Sequence, residues 1–148
     1  MRFVAVTALL LAACGKAGAG ALGAAGDIEV PHGFAFAPKS NPQMAAYFTA
    51  LNHGRAPDTL LAVSSPLAAH AMVHQQSLEG GMVQMAPAGP LAIAPGDSLV
   101  LAPGGLHVML ELSGGEPEKG DSLPLTLRFS RSGDVTIMLP VRAYGDES

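Results

Sequence analysis

The chain has 148 residues, 49% of them hydrophobic and 14% charged, with a net charge of −4. That balance excludes a wholly disordered chain, and the lack of a basic stripe argues against a nucleic-acid partner. Cys14 is the single cysteine, so neither an intrachain disulfide framework nor a cysteine-rich zinc site is available.

The first predicted element is a signal peptide over residues 1–13. Arg2 supplies the positive charge, and Val4 to Ala13 is an apolar run. As a helix it would rise about 15 Å, roughly half the hydrocarbon thickness of a bilayer, which is too short to span one. The run ends in Leu11-Ala12-Ala13-Cys14, which resembles the bacterial lipobox. The resemblance implies cleavage before Cys14 and lipidation of its sulfur, giving an anchor on the periplasmic side of the bacterial cell envelope. Residues 14–26 follow as a lipidated cysteine and a flexible Gly/Ala tether. Gly15 to Gly26 has no branched aliphatic residue but Leu22 and no aromatic one, and fully extended it reaches about 40 Å.

Residues 27–145 form the folded domain. With 18 Gly and 12 Pro, the chain is punctuated too often for a helical bundle. The sequence predicts strands over Ile28–Phe36, Met44–Asn52, Thr59–Ser64, His70–Gln76, Met82–Met85, Ser98–Leu101, Leu106–Leu112, Leu123–Phe129 and Val135–Val141. Turn signals such as Asn52-His53-Gly54, Gly80-Gly81 and Pro103-Gly104-Gly105 separate them, and this spacing predicts an antiparallel sandwich. Alternation places Leu123, Leu125, Leu127 and Phe129 on one face of their strand. It does the same for Val135, Ile137, Leu139 and Val141.

Methionine and histidine gather in the middle of the domain: Met72, Met82, Met85 and Met109, with His70, His74 and His107. In Leu106–Leu112 the even positions form the core row, so His107, Met109 and Glu111 share the opposite face. In His70–His74, alternation groups His70, Met72 and His74. Two strands thus each present a mixed His/Met face, read either as an ordinary solvated surface or as a metal site. If a metal is held, thioether and imidazole together select Cu(I) over harder ions. Met82 has the opposite parity to Met85 and is expected to pack. His32 and His53 read as solvated loop residues.

The spacing His74-x10-Met85-x21-His107-x-Met109 closely resembles the copper site of the periplasmic Cu(A) chaperone (PCuAC) family. Pro103-Gly104-Gly105-Leu106-His107-Val108-Met109-Leu110 is similar to that family's PGG-x-H-x-ML segment. Ala45 to Gly54, ending in Asn52-His53-Gly54, and Leu61 to Pro66 resemble two further strands. The likeness runs from about Ile28 to Tyr144. It implies an all-β, cupredoxin-like or immunoglobulin-like Greek-key sandwich. It implies Cu(I) held by His74, Met85, His107 and Met109. It further implies delivery to the Cu(A) centre of cytochrome c oxidase subunit II, with a thioredoxin-like assembly protein as a second partner. Gln75 stands where some members carry Met after the first His, which makes Met72 and His70 candidate auxiliary donors. Two other readings are a copper storage or detoxification lipoprotein and an envelope interaction module without metal. No nucleophile elbow, phosphate loop or carboxylate pair points to an enzyme.

Overall fold

The computed structural model describes residues 20–146. The signal peptide, the lipidation of Cys14 and the start of the tether lie outside the described residues. Within them are eleven strands and no helix. In chain order these are β1 (Gly23–Ala25), β2 (Ile28–Phe36), β3 (Gln43–Asn52), β4 (Asp58–Ser64), β5 (Ala68–Glu79), β6 (Met82–Pro87), β7 (Leu91–Ile93), β8 (Ser98–Val100), β9 (Leu106–Leu112), β10 (Ser122–Phe129) and β11 (Gly133–Arg142).

The strands follow the path β6-β5-β9-β3-β2-β11-β10-β4-β7, with β1 added to β2 and β8 to β3. This open path folds over into the two layers of a β-sandwich. One layer is centred on β5, β9, β3 and β2, the other on β11, β10 and β4. Strict alternation in β10 and β11 buries the predicted Leu, Phe, Val and Ile rows. Val73, Val108, Leu110, Ala46 and Phe48 belong to the same core cluster. Each of the Val, Leu and Phe side chains among them, fully buried, contributes about 1.5–3 kcal/mol.

The pairing is antiparallel except at one seam. Val141 and Arg142 of β11 run parallel to Ala35 and Phe36 of β2, a two-residue parallel seam in the expected antiparallel sandwich. The two strands come from opposite ends of the domain, and no hairpin joins them to impose the antiparallel sense. Gly23–Ala25, expected to belong to the tether, pairs instead with Val30, Glu29 and Ile28. Glycine at position 23 permits this: a Cβ there would lie 2.8 Å from both the Thr136 carbonyl oxygen and the Ile137 side chain.

Two further differences lie at the ends of the strand path. Leu91–Ile93 is a three-residue edge strand against β4, too short and too close to Pro90 to announce itself by periodicity. The β5–β6 hairpin is longer than expected at both ends. Glu79 pairs with Met82 across Gly80 and Gly81, whose φ angles of 58° and 80° suit the two-residue turn that matches strand twist. Every residue of β6 is exposed, so this hairpin stands beyond the core. Met82 is accordingly 65% exposed rather than packed.

Candidate metal centre

The site is built on the face of β5 and β9 that turns away from the core. Their antiparallel register sets Val73 against Val108 and Ala71 against Leu110 on the inner side. On the outer side it sets His74 against His107, Met72 against Met109, and His70 against Glu111. Directly opposed residues have Cβ atoms about 4.5–5.5 Å apart. The two imidazole rings meet edge-on, with centroids 5.9 Å apart.

The loop before β9 fixes the second imidazole. Gly105 N–H donates to the Ala102 carbonyl at 3.0 Å, with Pro103 and Gly104 between them. Gly104 has φ 85°. Proline second and a positive-φ glycine third define a type II turn. The Gly105 carbonyl then accepts from the Gln76 amide at 3.1 Å and from His107 Nδ1 at 3.1 Å. With the proton held on Nδ1, His107 Nε2 carries the free lone pair.

That lone pair has no protein partner. His107 is only 3% exposed, and its Nε2 is buried without a hydrogen bond, as is Nδ1 of His74. Leaving one buried polar nitrogen unsatisfied costs on the order of 1–3 kcal/mol. Two on facing rings mark a place shaped for something that accepts their electron pairs. Burial, followed by the neighbouring His107, pulls the His74 pKa below its ordinary 6.5, which keeps that imidazole a neutral donor.

The remaining donors are thioethers. Met109 is half-buried beside His107, and Met72 is 45% exposed beside His74. Met85 lies on β6 opposite Gln76, one step diagonally beyond His74 on the same face, and is 52% exposed. Register therefore gathers His74, His107, Met109 and Met72 as a four-cornered group, with Met85 flanking it on the hairpin. Among the described residues no three His, Cys, Asp or Glu side chains group closely enough to hold an ion. The donors that the register brings beside the two imidazoles are thioethers, and a neutral N/S set suits a soft d¹⁰ ion such as Cu(I).

The other singled-out positions divide clearly. His70 faces the carboxylate-bearing Glu111, one rung beyond Met72. His53 Nε2 lies 2.8 Å from Glu29 Oε2, and His32 is an exposed residue of β2 rather than of a loop. The Asn52-x-Gly54 segment is structural: Asn52 is buried, its amide donates to Ala56 and Ile93 carbonyls, and its Oδ1 accepts from Gly54 N–H. Tyr47 escaped the sequence reading. Its ring centroid lies 6.4 Å from that of His107, and with Phe34 and Phe36 it forms a small aromatic cluster beside the site. Alternation could place Tyr47 on the same face of β3 as Ala45, but the pairing of Ala45 with Met109 that brings it to the site comes from the fold.

Solved structures share this fold. The copper-bound PCuAC domain from PmoF2 is 27% identical with a TM-score of 0.68, covering 81% of this chain and 96% of that one. Apo-DR1885 from Deinococcus radiodurans is 29% identical with a TM-score of 0.59, covering 97% and 94%. CuI-DR1885 from the same organism is 28% identical with a TM-score of 0.60, covering 76% of each. No curated protein matches. The architecture is that of a PCuAC-type β-sandwich. A family profile described as "Putative lipoprotein LpqE-like" matches residues 28–141, and the chain belongs to that family.

Proposed function

We propose that the protein is a Cu(I) metallochaperone of the bacterial envelope, a carrier without turnover, whose ion is held by His74, Met85, His107 and Met109. The observation that carries this reading is the pair of buried, unpartnered imidazole nitrogens on facing strands with thioethers beside them. The copper-bound PmoF2 domain and CuI-DR1885 support it, since both are relatives of the same fold named with the metal. The LpqE-like lipoprotein description supports an envelope location, with Cys14 as the lipidated anchor and the protein facing the periplasm.

The donor set suits a carrier. Neutral thioethers stay competent at any pH and resist the disulfide formation that disables thiolates outside the cytosol. They also hold Cu(I) less firmly than thiolates do, so transfer to a cysteine-containing acceptor runs downhill. The Cu(A) centre of cytochrome c oxidase subunit II is such an acceptor, reached directly or through a thioredoxin-like assembly protein. A lipid anchor raises the effective concentration of membrane-bound acceptors.

The test is an anaerobic Cu(I) titration of residues 20–148 against a chromophoric chelator. One ion per chain with a Kd well below about 1 μM is expected, weakened at least about 100-fold in His74→Ala/His107→Ala, a loss of roughly 2.7 kcal/mol. Binding no tighter than micromolar, or indifference to both histidines, overturns the reading. In cells, deletion should deplete the oxidase of Cu(A). Copper-sensitive growth with a fully metallated oxidase would assign storage instead of delivery.

A further inference from the structure

The register of β5 contains a thioether that the four-ligand set leaves unused. Met72 and Met85 flank His74 on opposite sides of one face. Met72 lies two residues back along β5, directly opposite Met109. Met85 lies on β6, opposite Gln76 two residues ahead. Their supports differ. Met72 sits where β5 pairs with β9, one rung before the β6 ladder begins at His74, with Val73 beside it buried in the core. Met85 belongs to an edge strand whose six residues are all exposed, at the end of the strand path. A free edge hairpin with little apolar burial opens at lower cost than a strand anchored to its neighbour through buried residues, as β5 is to β9 through Val73 and Val108.

We propose that Met72 is an alternative Cu(I) ligand. The ion is bound by His74, His107 and Met109 together with either Met85 or Met72. This inference rests on the Cu(I) site proposed above. When the β5–β6 hairpin yields, the bond from copper to the Met85 sulfur breaks and one to the Met72 sulfur forms. Copper stays Cu(I), both thioethers stay neutral, and no proton moves. In the Met85-bound position the hairpin covers the ion. In the Met72-bound position all four donors lie on β5 and β9, and the side facing β6 is open to an incoming acceptor. The exchange lets the ion become accessible without being released.

Four chains are compared by anaerobic Cu(I) competition and by X-ray absorption: wild type, Met72→Leu, Met85→Leu and Met72→Leu/Met85→Leu. Both replaced side chains are about half exposed, and folding is checked by circular dichroism. Each single variant should keep two sulfurs per copper and lose no more than about 10-fold in affinity, because the other thioether takes over. The double variant should fall to one sulfur and lose at least a further 10-fold or so. If it matches Met85→Leu in both sulfur count and affinity, Met72 is no ligand and the proposal fails, while the four-ligand site stands. If neither the double variant nor His74→Ala/His107→Ala changes binding, the site itself fails.

Discussion

His107 Nδ1 lies 3.1 Å from the carbonyl oxygen of Gly105, two residues upstream, and this contact decides which ring nitrogen is free. The contact depends on the turn from Ala102 to Gly105, in which Gly104 holds φ 85°. A Cβ at Gly104 would meet nothing within 4 Å, so substitution there strains only the backbone. Gly104→Val should cost about 1–3 kcal/mol of stability. It should also weaken Cu(I) binding about 10-fold or more by loosening the imidazole, within the range seen for outer-shell partners of metal ligands. Nitrogen-15 NMR of the wild-type apo domain should show the Nδ1-protonated tautomer of His107. An Nε2-protonated ring would contradict this account of the loop.

The facing imidazoles give the apo domain a pH signature. Burial, then proximity to His107, lowers the His74 pKa below the ordinary 6.5. Between those two values the unfolded chain binds the proton and the folded one does not. This stability contribution is therefore complete above about pH 6.5 and is lost as pH falls from there through the lowered folded value. Urea denaturation at pH 7 and pH 5 should show a drop for wild type that is smaller in His74→Gln. The His74 imidazole resonances should titrate below pH 6.5, and Cu(I) binding should persist below the pH at which a free imidazole protonates. Titration at or above 6.5 would remove the argument.

On the opposite sheet, Asp58 supplies a control unconnected with metal. Its carboxylate is 1% exposed, and burial alone would raise its pKa. The Ser132 hydroxyl and the amides of Arg131, Thr59 and Ser132 outweigh that penalty and bring the value to about 2, from 3.8. Ser130 Oγ also donates to it at 3.1 Å. This depressed carboxylate contributes fully above about pH 3.8, and its contribution is lost as pH falls through about 2. Asp58→Asn should cost about 2 kcal/mol at neutral pH. The gap between variant and wild type should narrow toward pH 2, and Cu(I) affinity should not move. A stability gap that does not depend on pH would show that side-chain shape, not charge, holds these loops.

Much of this molecule is legible from alternation alone. The row Leu123, Leu125, Leu127, Phe129 and the faces of β5 and β9 follow from a period of two, because burial on one side of a strand leaves a direct mark on sequence. That rule also put His74 with Met72 and His107 with Met109. It could not show which rungs face each other, since register is set by partners distant in sequence. The pairing of Met72 with Met109 therefore emerged only from the fold. Gly23–Ala25 and Leu91–Ile93 were missed because three residues carry no period, and glycine at 23 looks like linker until Thr136 and Ile137 close over it. Met82 failed for a different reason. Parity assigns a face, but β6 extends past the core and neither of its faces is covered.

The methionines can report the site directly, because thioether oxidation follows exposure. Met82, Met85, Met138 and Met72 are exposed, and Met44 is 1% exposed in the core. Limited hydrogen peroxide treatment of the apo domain should oxidise the first four well before Met44, as read by peptide mass spectrometry. Silver(I), a d¹⁰ ion that does not cycle with peroxide, stands in for Cu(I). Bound at the proposed site it should protect Met85, Met109 and, through exchange at His74, Met72. Met82 neighbours Met85 on the same hairpin but has the opposite parity, and Met138 lies in the other sheet, so both should react at the apo rate. Equal protection of Met82 and Met85 would indicate that silver merely orders the hairpin. Protection of neither Met85 nor Met109 would mean that the sulfurs on this face do not converge on an ion.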